Sequence, residues 1–284
     1  MKKKVKNPYI NALFLKNPIC TICICVIVIF ALGAIFAPLL TQYEPTEQHM
    51  EDQFSGISAD HLLGADHLGR DLLTRLLYGA RVSLLTSVLS TAIAAAIGMA
   101  LGLIAGYFGG FAGQAVMRIM DAQLSIPPLV LTMVLATLFG GGVTGVSIVI
   151  GISMVPTYVR MVNAMVISLK NNDYVIAARL VGQNDAKILL RHLLPNCFPS
   201  LIVLITMNLG NAIMLEASLS YLGIGITPPT PAWGSMVSEG YNYLMNYPLI
   251  AILPGLCVML TVVAFNIVGD ALRDTLDPRL RGKL

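Results

Sequence analysis

Charge is scarce in this chain. Asp, Glu, Lys and Arg make up 12% of its 284 residues, against about 25% in soluble domains. With 56% of its residues hydrophobic, it has too few polar side chains for an ordinary water-soluble globule, and it reads as a polytopic membrane protein. The net charge is only +3, and the basic residues lie at the ends of apolar runs rather than in one patch, which argues against a nucleic-acid partner. There is no Gly-x4-Gly-Lys-Ser/Thr loop, so the chain has no P-loop with which to cradle a nucleotide phosphate. A His-Glu-x2-His zinc motif, a Gly-x-Ser-x-Gly elbow and an intramembrane aspartate pair are also missing. No catalytic residue, cofactor site or metal site is therefore expected. Cys20, Cys23, Cys25, Cys197 and Cys257 fall in or beside apolar segments and read as free packing thiols, not as a disulfide or zinc framework.

Long apolar runs are what the chain does have. Runs sufficient to cross about 30 Å of hydrocarbon lie near residues 18–40, 82–106, 116–140, 143–166, 198–222 and 248–270, which predicts an all-α protein of six transmembrane helices. The first run exceeds the apolar core of a signal peptide and lacks a small-x-small cleavage site, so it is read as an anchor. With the N-terminus cytoplasmic, every basic residue except Arg70, Arg75 and Arg81 falls on the inner side. The positive-inside rule then places both termini in the cytoplasm.

Within the spans, Gly98, Gly102 and Gly106 recur every fourth residue and make a stripe for close helix packing. The Gly109-Gly110 and Gly140-Gly141-Gly142 clusters mark chain reversals. Pro127-Pro128, Pro156 and Pro254 are expected to kink their helices, bordering a pathway or adjusting packing. Arg118 and Asp121 are a candidate pair on one helical face, and Glu216 is placed for a polar contact with another helix or with the first outer loop. Met207, Asn208, Asn211, Met214 and Glu216 are the candidate pathway lining, mild and adaptable apart from the one carboxylate. A proton relay needs several ionisable groups in different spans, and Glu216 alone lies away from the span ends. The first outer loop is acidic and carries His49, His61 and His67, read as structural. The last outer loop has no Lys or Arg, and both loops are candidate docking surfaces.

Between the fourth and fifth spans lies a polar insert, YVIAARLVGQNDAKILLRHLLPN, from Tyr174 to Asn196. One short helix over 174–181 is expected to stop at Gly182, and a second to start at an Asn184 cap and end at Pro195. By periodicity the insert is either a connector lying on the lipid surface or a compact knob for a soluble partner.

The insert resembles the Glu-Ala-Ala loop of ABC importer permeases, Glu-Ala-Ala-x3-Gly-x9-Ile-x-Leu-Pro. Ala177, Ala178, Gly182, Leu194 and Pro195 match in register, while Ile176 replaces the glutamate and His192 the isoleucine. The stretches from His61 (HLLGADHLGRDLLTRLLYGARVSL), Glu216 (EASLSYLGIGITPPTPAWGSM) and Phe265 (FNIVGDALRDTLDPRLRG) are similar to dipeptide, oligopeptide and nickel permeases. The resemblance implies a type I ABC importer permease fold with one extra N-terminal helix, divided into residues 1–79 and a five-helix core over 80–284. It implies a non-catalytic subunit in a bacterial inner membrane, with a second homologous permease, two cytoplasmic ATPase subunits holding ATP and Mg, and an extracytoplasmic solute-binding protein as partners. Ala177, Ala178, Gly182, His192, Leu194 and Pro195 would then be the ATPase-coupling residues. Short peptides are the expected cargo. Nickel or another small solute is the alternative within the family, and a proton-coupled carrier or a membrane enzyme the alternative outside it.

Overall fold

The computed structural model describes residues 18–276. The basic residues from Lys2 to Lys16 and from Arg279 to Lys283, and the DPRLRG end of the last motif, lie outside the described residues. The described fold is all-α. Helix α1 spans Pro18–Leu40, α2 Leu72–Phe108, α3 Gly110–Leu124, α4 Pro128–Phe139 and α5 Gly142–Leu169. The insert forms α6, Asp173–Leu180, and α7, Asp185–Ile188; then follow α8, Leu194–Tyr221, α9, Trp233–Tyr241, and α10, Leu249–Leu276.

Among the described residues, five helices are long and apolar enough to cross a membrane, and a sixth crossing exists only if α3 and α4 are counted together. That pair corrects the expected third span. Instead of one kinked helix there are two, bent by 98°. Two consecutive prolines remove two backbone donors, Pro127 takes an extended conformation (φ −54, ψ 132), and Pro128 restarts the helix in its first turn. Single prolines do less: Pro156 and Pro254 lie inside α5 and α10 without ending either. The candidate pair Arg118 and Asp121 lines one cleft with Gly109, Gly113 and Asn163, and the ion pairs among the described residues do not join the two.

The core is built on α2 and α5, joined by the glycine stripe. A Cβ at Gly98 would lie 2.3 Å from Tyr158 Cβ, one at Gly102 2.7 Å from Val162 Cβ, and one at Gly106 2.8 Å from Val166 Cβ. All three β-carbons face places where only hydrogen fits, so the stripe is packing. The expected reversals are also glycine turns, with φ of 63° at Gly109, 55° at Gly110, 77° at Gly140 and 80° at Gly142. Helix α2 has 37 residues, about 55 Å at 1.5 Å per residue, and so overreaches the hydrocarbon at both ends. The predicted boundary at 79/80 falls inside it. Helix α1 packs on α2 and α10, and its Phe30 meets Trp233 of α9 edge-on at 5.5 Å. Large exposed apolar side chains, such as Ile22, Ile29 and Leu39 on α1 and Val134 and Leu138 on α4, suit a lipid surround.

Candidate functional site

The insert sits at the end of the bundle where α2, α5 and α10 finish. Helix α6 closes in a Schellman motif: the Gly182 amide donates to the Arg179 carbonyl at 2.9 Å and the Gln183 amide to that of Ala178 at 3.1 Å. Gly182 has φ 79 and open space around it. Asn184 caps α7 by accepting from the Lys187 amide at 2.9 Å. These features match the expected pair of short helices. Pro195 does not: it lies in the first turn of α8, and the chain passes into it from α7 through a π turn over Leu189–Leu193. The wider turn accommodates a proline that can neither donate to nor pack against the preceding carbonyls. The second insert helix is thereby continuous with a membrane span.

One face of the insert belongs to the bundle. Val175, Ala178, Ile188 and Leu193 are buried in the same cluster as Leu103, Tyr107, Val162 and Val166. The other face is bare. Ala177 is exposed, and Leu180 and Val181, beside Gly182, are 83% and 81% exposed. His192 is half-buried, its Nε2 3.0 Å from Gln183 Oε1, with Leu194 half-buried and Pro195 exposed below it. The six predicted coupling residues therefore do not share one surface: Ala178 packs inward, and a bulky residue there would disturb this chain's own core.

Met207, Asn211 and Met214 lie along one face of α8, continued by Ser218 and Tyr221. Met207 opens on a cleft of about 420 Å³ with Val203, Leu204 and Arg273, and Met214 on another of about 420 Å³ with Ser218, Tyr221 and Val237. Asn208 is 6% exposed and accepts a bond from Asn211 Nδ2 at 3.3 Å. Glu216 is a correction. It lies off this face and is fully buried, with Oε1 accepting from Ser220 Oγ at 2.8 Å and no hydrogen-bond partner at Oε2. Position 216 falls on the side of α8 turned into the bundle, so the carboxyl meets helix packing instead of an open path.

At the opposite end of α2, the loop before it and α9 are locked by buried charges. Arg70 Nε contacts Asp66 Oδ2 at 2.7 Å and Arg70 Nη2 contacts Glu239 Oε2 at 3.1 Å. Arg75 reaches the same two carboxylates at 3.4 and 2.7 Å. Beside them Asp71 caps α2 by accepting from the Thr74 amide and accepts from His61 Nδ1 at 2.9 Å, while His61 Nε2 lies 3.6 Å from Asp52. His49, Glu51 and Asp52 bring one ligand atom each within 4.8 Å of one another, the one group among the described residues close enough to hold a metal ion.

Residues 98–282 match the family described as the binding-protein-dependent transport system inner membrane component. The chain belongs to that family. Residues 12–59 match the N-terminal transmembrane domain of oligopeptide transport permease C. The permease is 44% identical over 262 residues to the dipeptide transport system permease protein DppC of Escherichia coli K12, covering 90% of this chain and 87% of the relative. It is 39% identical over 254 residues to the di/tripeptide transport system permease protein DppC of Pseudomonas aeruginosa UCBPP-PA14, covering 87% and 84%. In structure it resembles a chain of the inward-facing MetNI methionine ABC transporter, with a TM-score of 0.58 and 18% identity over 71% of this chain and 96% of that one. The fold is the type I ABC importer permease fold, and the chain is the multi-pass membrane component of a system that also has an ATPase and a binding protein.

The buried network of the permease was not legible from spacing, because Arg75 and Glu239 are 164 positions apart. The available signal was two arginines set among the acidic residues of the first outer loop. His61 was legible as structural, and its environment carries a consequence. Burial pulls the imidazole down, but hydrogen bonds and charge from Asp71 and Asp52 outweigh it, leaving the pKa above the ordinary histidine value. The charged ring thus contributes stability that is full below about 6.5, the unfolded value, and is lost as pH rises through the folded one. Amide protection factors over residues 52–71, corrected for the pH dependence of intrinsic exchange, are expected to be larger at pH 6 than at pH 8.5. In His61→Gln that difference should disappear.

Proposed function

We propose that this chain is one of two homologous, non-catalytic permease subunits of a bacterial inner-membrane importer for short peptides. The observation that carries the reading is the insert: a knob rooted in the bundle by Val175, Ala178 and Ile188, presenting bare Ala177, Leu180, Val181 and Gly182. Exposed leucine and valine at a helix tip suit a groove on a partner, here one of two cytoplasmic ATPase subunits that hold ATP and Mg. Closure of those subunits would rock the bundle through the knob. This orientation puts both termini in the cytoplasm and the Arg70–Glu239 network on the outer side, where the solute-binding protein delivers cargo. Residues 1–79 would be an addition to a five-helix core over 80–284.

The bare face of α8 would border the path against the second permease. Met207, Asn211 and Met214 give it methionine and amide groups without fixed charge, which tolerates varied peptide side chains. The names of the relatives point to dipeptides and tripeptides. Cells lacking the chain should lose uptake of a labelled dipeptide and keep uptake of nickel. Unchanged dipeptide uptake with nickel uptake abolished would overturn the peptide assignment.

A further inference from the structure

Tyr107 closes α2 at the foot of the bundle, and three contacts meet there. Its hydroxyl donates to the Asp185 carboxylate in the first turn of α7. The Arg179 guanidinium of α6 lies over its ring, 4.9 Å from the centroid, within range of a cation–π attraction. Lys170 Nζ, just past α5, donates to the Gly106 carbonyl at 2.8 Å and lies 3.5 Å from that of Tyr107, satisfying the end of α2. One side chain, itself 8% exposed, therefore touches both helices of the insert while standing on the helix that the glycine stripe joins to α5.

The far end of that same helix carries Asp71 as its cap and Arg75 in the buried network with Asp66 and Glu239. No break interrupts it between the two ends. A displacement of α6 and α7 is passed to the opposite face by a rigid rod only if the insert is fixed to the rod, and the apolar contacts of Val175 and Ile188 permit sliding that a directional hydrogen bond and a stacked cation resist.

We propose that Tyr107 is a positioning residue for energy coupling, clamping both insert helices to α2 so that their movement becomes movement of the whole rod. The inference rests on the insert being the ATPase contact. Tyr107→Phe removes the hydroxyl's bond to α7 and its polar contact with Arg179 but keeps the ring under the guanidinium, whereas Arg179→Ala releases α6 and leaves the bond to Asp185.

The test uses the complete transporter, with its ATPase subunits and binding protein, reconstituted in vesicles. Peptide transported per ATP hydrolysed is measured alongside cross-linking of a cysteine at position 181 to the ATPase. Tyr107→Phe is expected to lower the ratio about fivefold, the factor that one hydrogen bond supplies, while assembly and the cross-link persist. Asp185→Asn, which keeps an acceptor, should restore most of the ratio relative to Asp185→Ala. Tyr107→Phe combined with Asp185→Ala should be no worse than either alone. A normal ratio in Tyr107→Phe with the cross-link intact overturns the clamp and leaves the insert reading standing. Absence of the cross-link in the unsubstituted protein overturns that reading, and the clamp with it.

Discussion

Glu239→Ala is expected to cost the permease about 3–5 kcal/mol of stability, with an apparent melting temperature lower by on the order of 10 °C in detergent. The reason is arithmetic of charge. Arg70 and Arg75, with side chains 3% and 1% exposed, share the carboxylates of Asp66 and Glu239. Deleting one carboxylate leaves two buried cations on a single anion, and neither guanidinium can shed its proton at neutral pH. Glu239→Gln keeps an acceptor of the same shape and should cost less than the alanine. The loss should be concentrated where the network closes: amide exchange should rise over residues 64–75 and in α9 before it rises in α5. A melting temperature within about a degree of the parent protein, with exchange unchanged, would show that the ion pairs contribute no net stability there.

Much of the architecture was legible because apolar length and glycine spacing act locally. The runs of α1, α5 and α10 identified their helices, and Gly98, Gly102 and Gly106 identified the tightest contact. Gly182 and Asn184 likewise marked the helix boundaries of the insert, since a positive φ and a cap each depend on one residue. The break after Ser125 was underestimated. A single proline such as Pro156 can remain in a helix, whereas Pro127-Pro128 removes adjacent donors and leaves an apolar sequence looking continuous when its backbone is not. Pro195 failed in the opposite sense, because a π turn upstream accommodates it and no composition signal announces that turn. The burial of Glu216 and Ala178 depends on which face of a helix meets a neighbour, and Tyr107 and Glu239 acquire their roles from partners far along the chain. Family resemblance located the insert, but the fold divides it into a face that packs and a face that is offered.

On the function proposed above, the chain is a conduit driven by ATP hydrolysed elsewhere. It lacks a phosphate loop, its bare insert offers an apolar tip to a partner, and Glu216, the one fully buried membrane carboxylate among the described residues, meets the hydroxyls of Ser220 on its own helix and Ser83 on α2. A proton pathway needs a succession of such groups. The chain alone should therefore move nothing, and the assembled system should transport only while ATP is supplied, an all-or-none difference. The direct measurement is uptake of a labelled dipeptide into vesicles holding the purified permease pair, with the ATPase subunits, ATP and the binding protein added in turn. Accumulation that requires all of these, ignores an imposed proton gradient and stops when this chain is left out is the predicted result; accumulation driven by a proton gradient through this chain alone, without ATP, would contradict it.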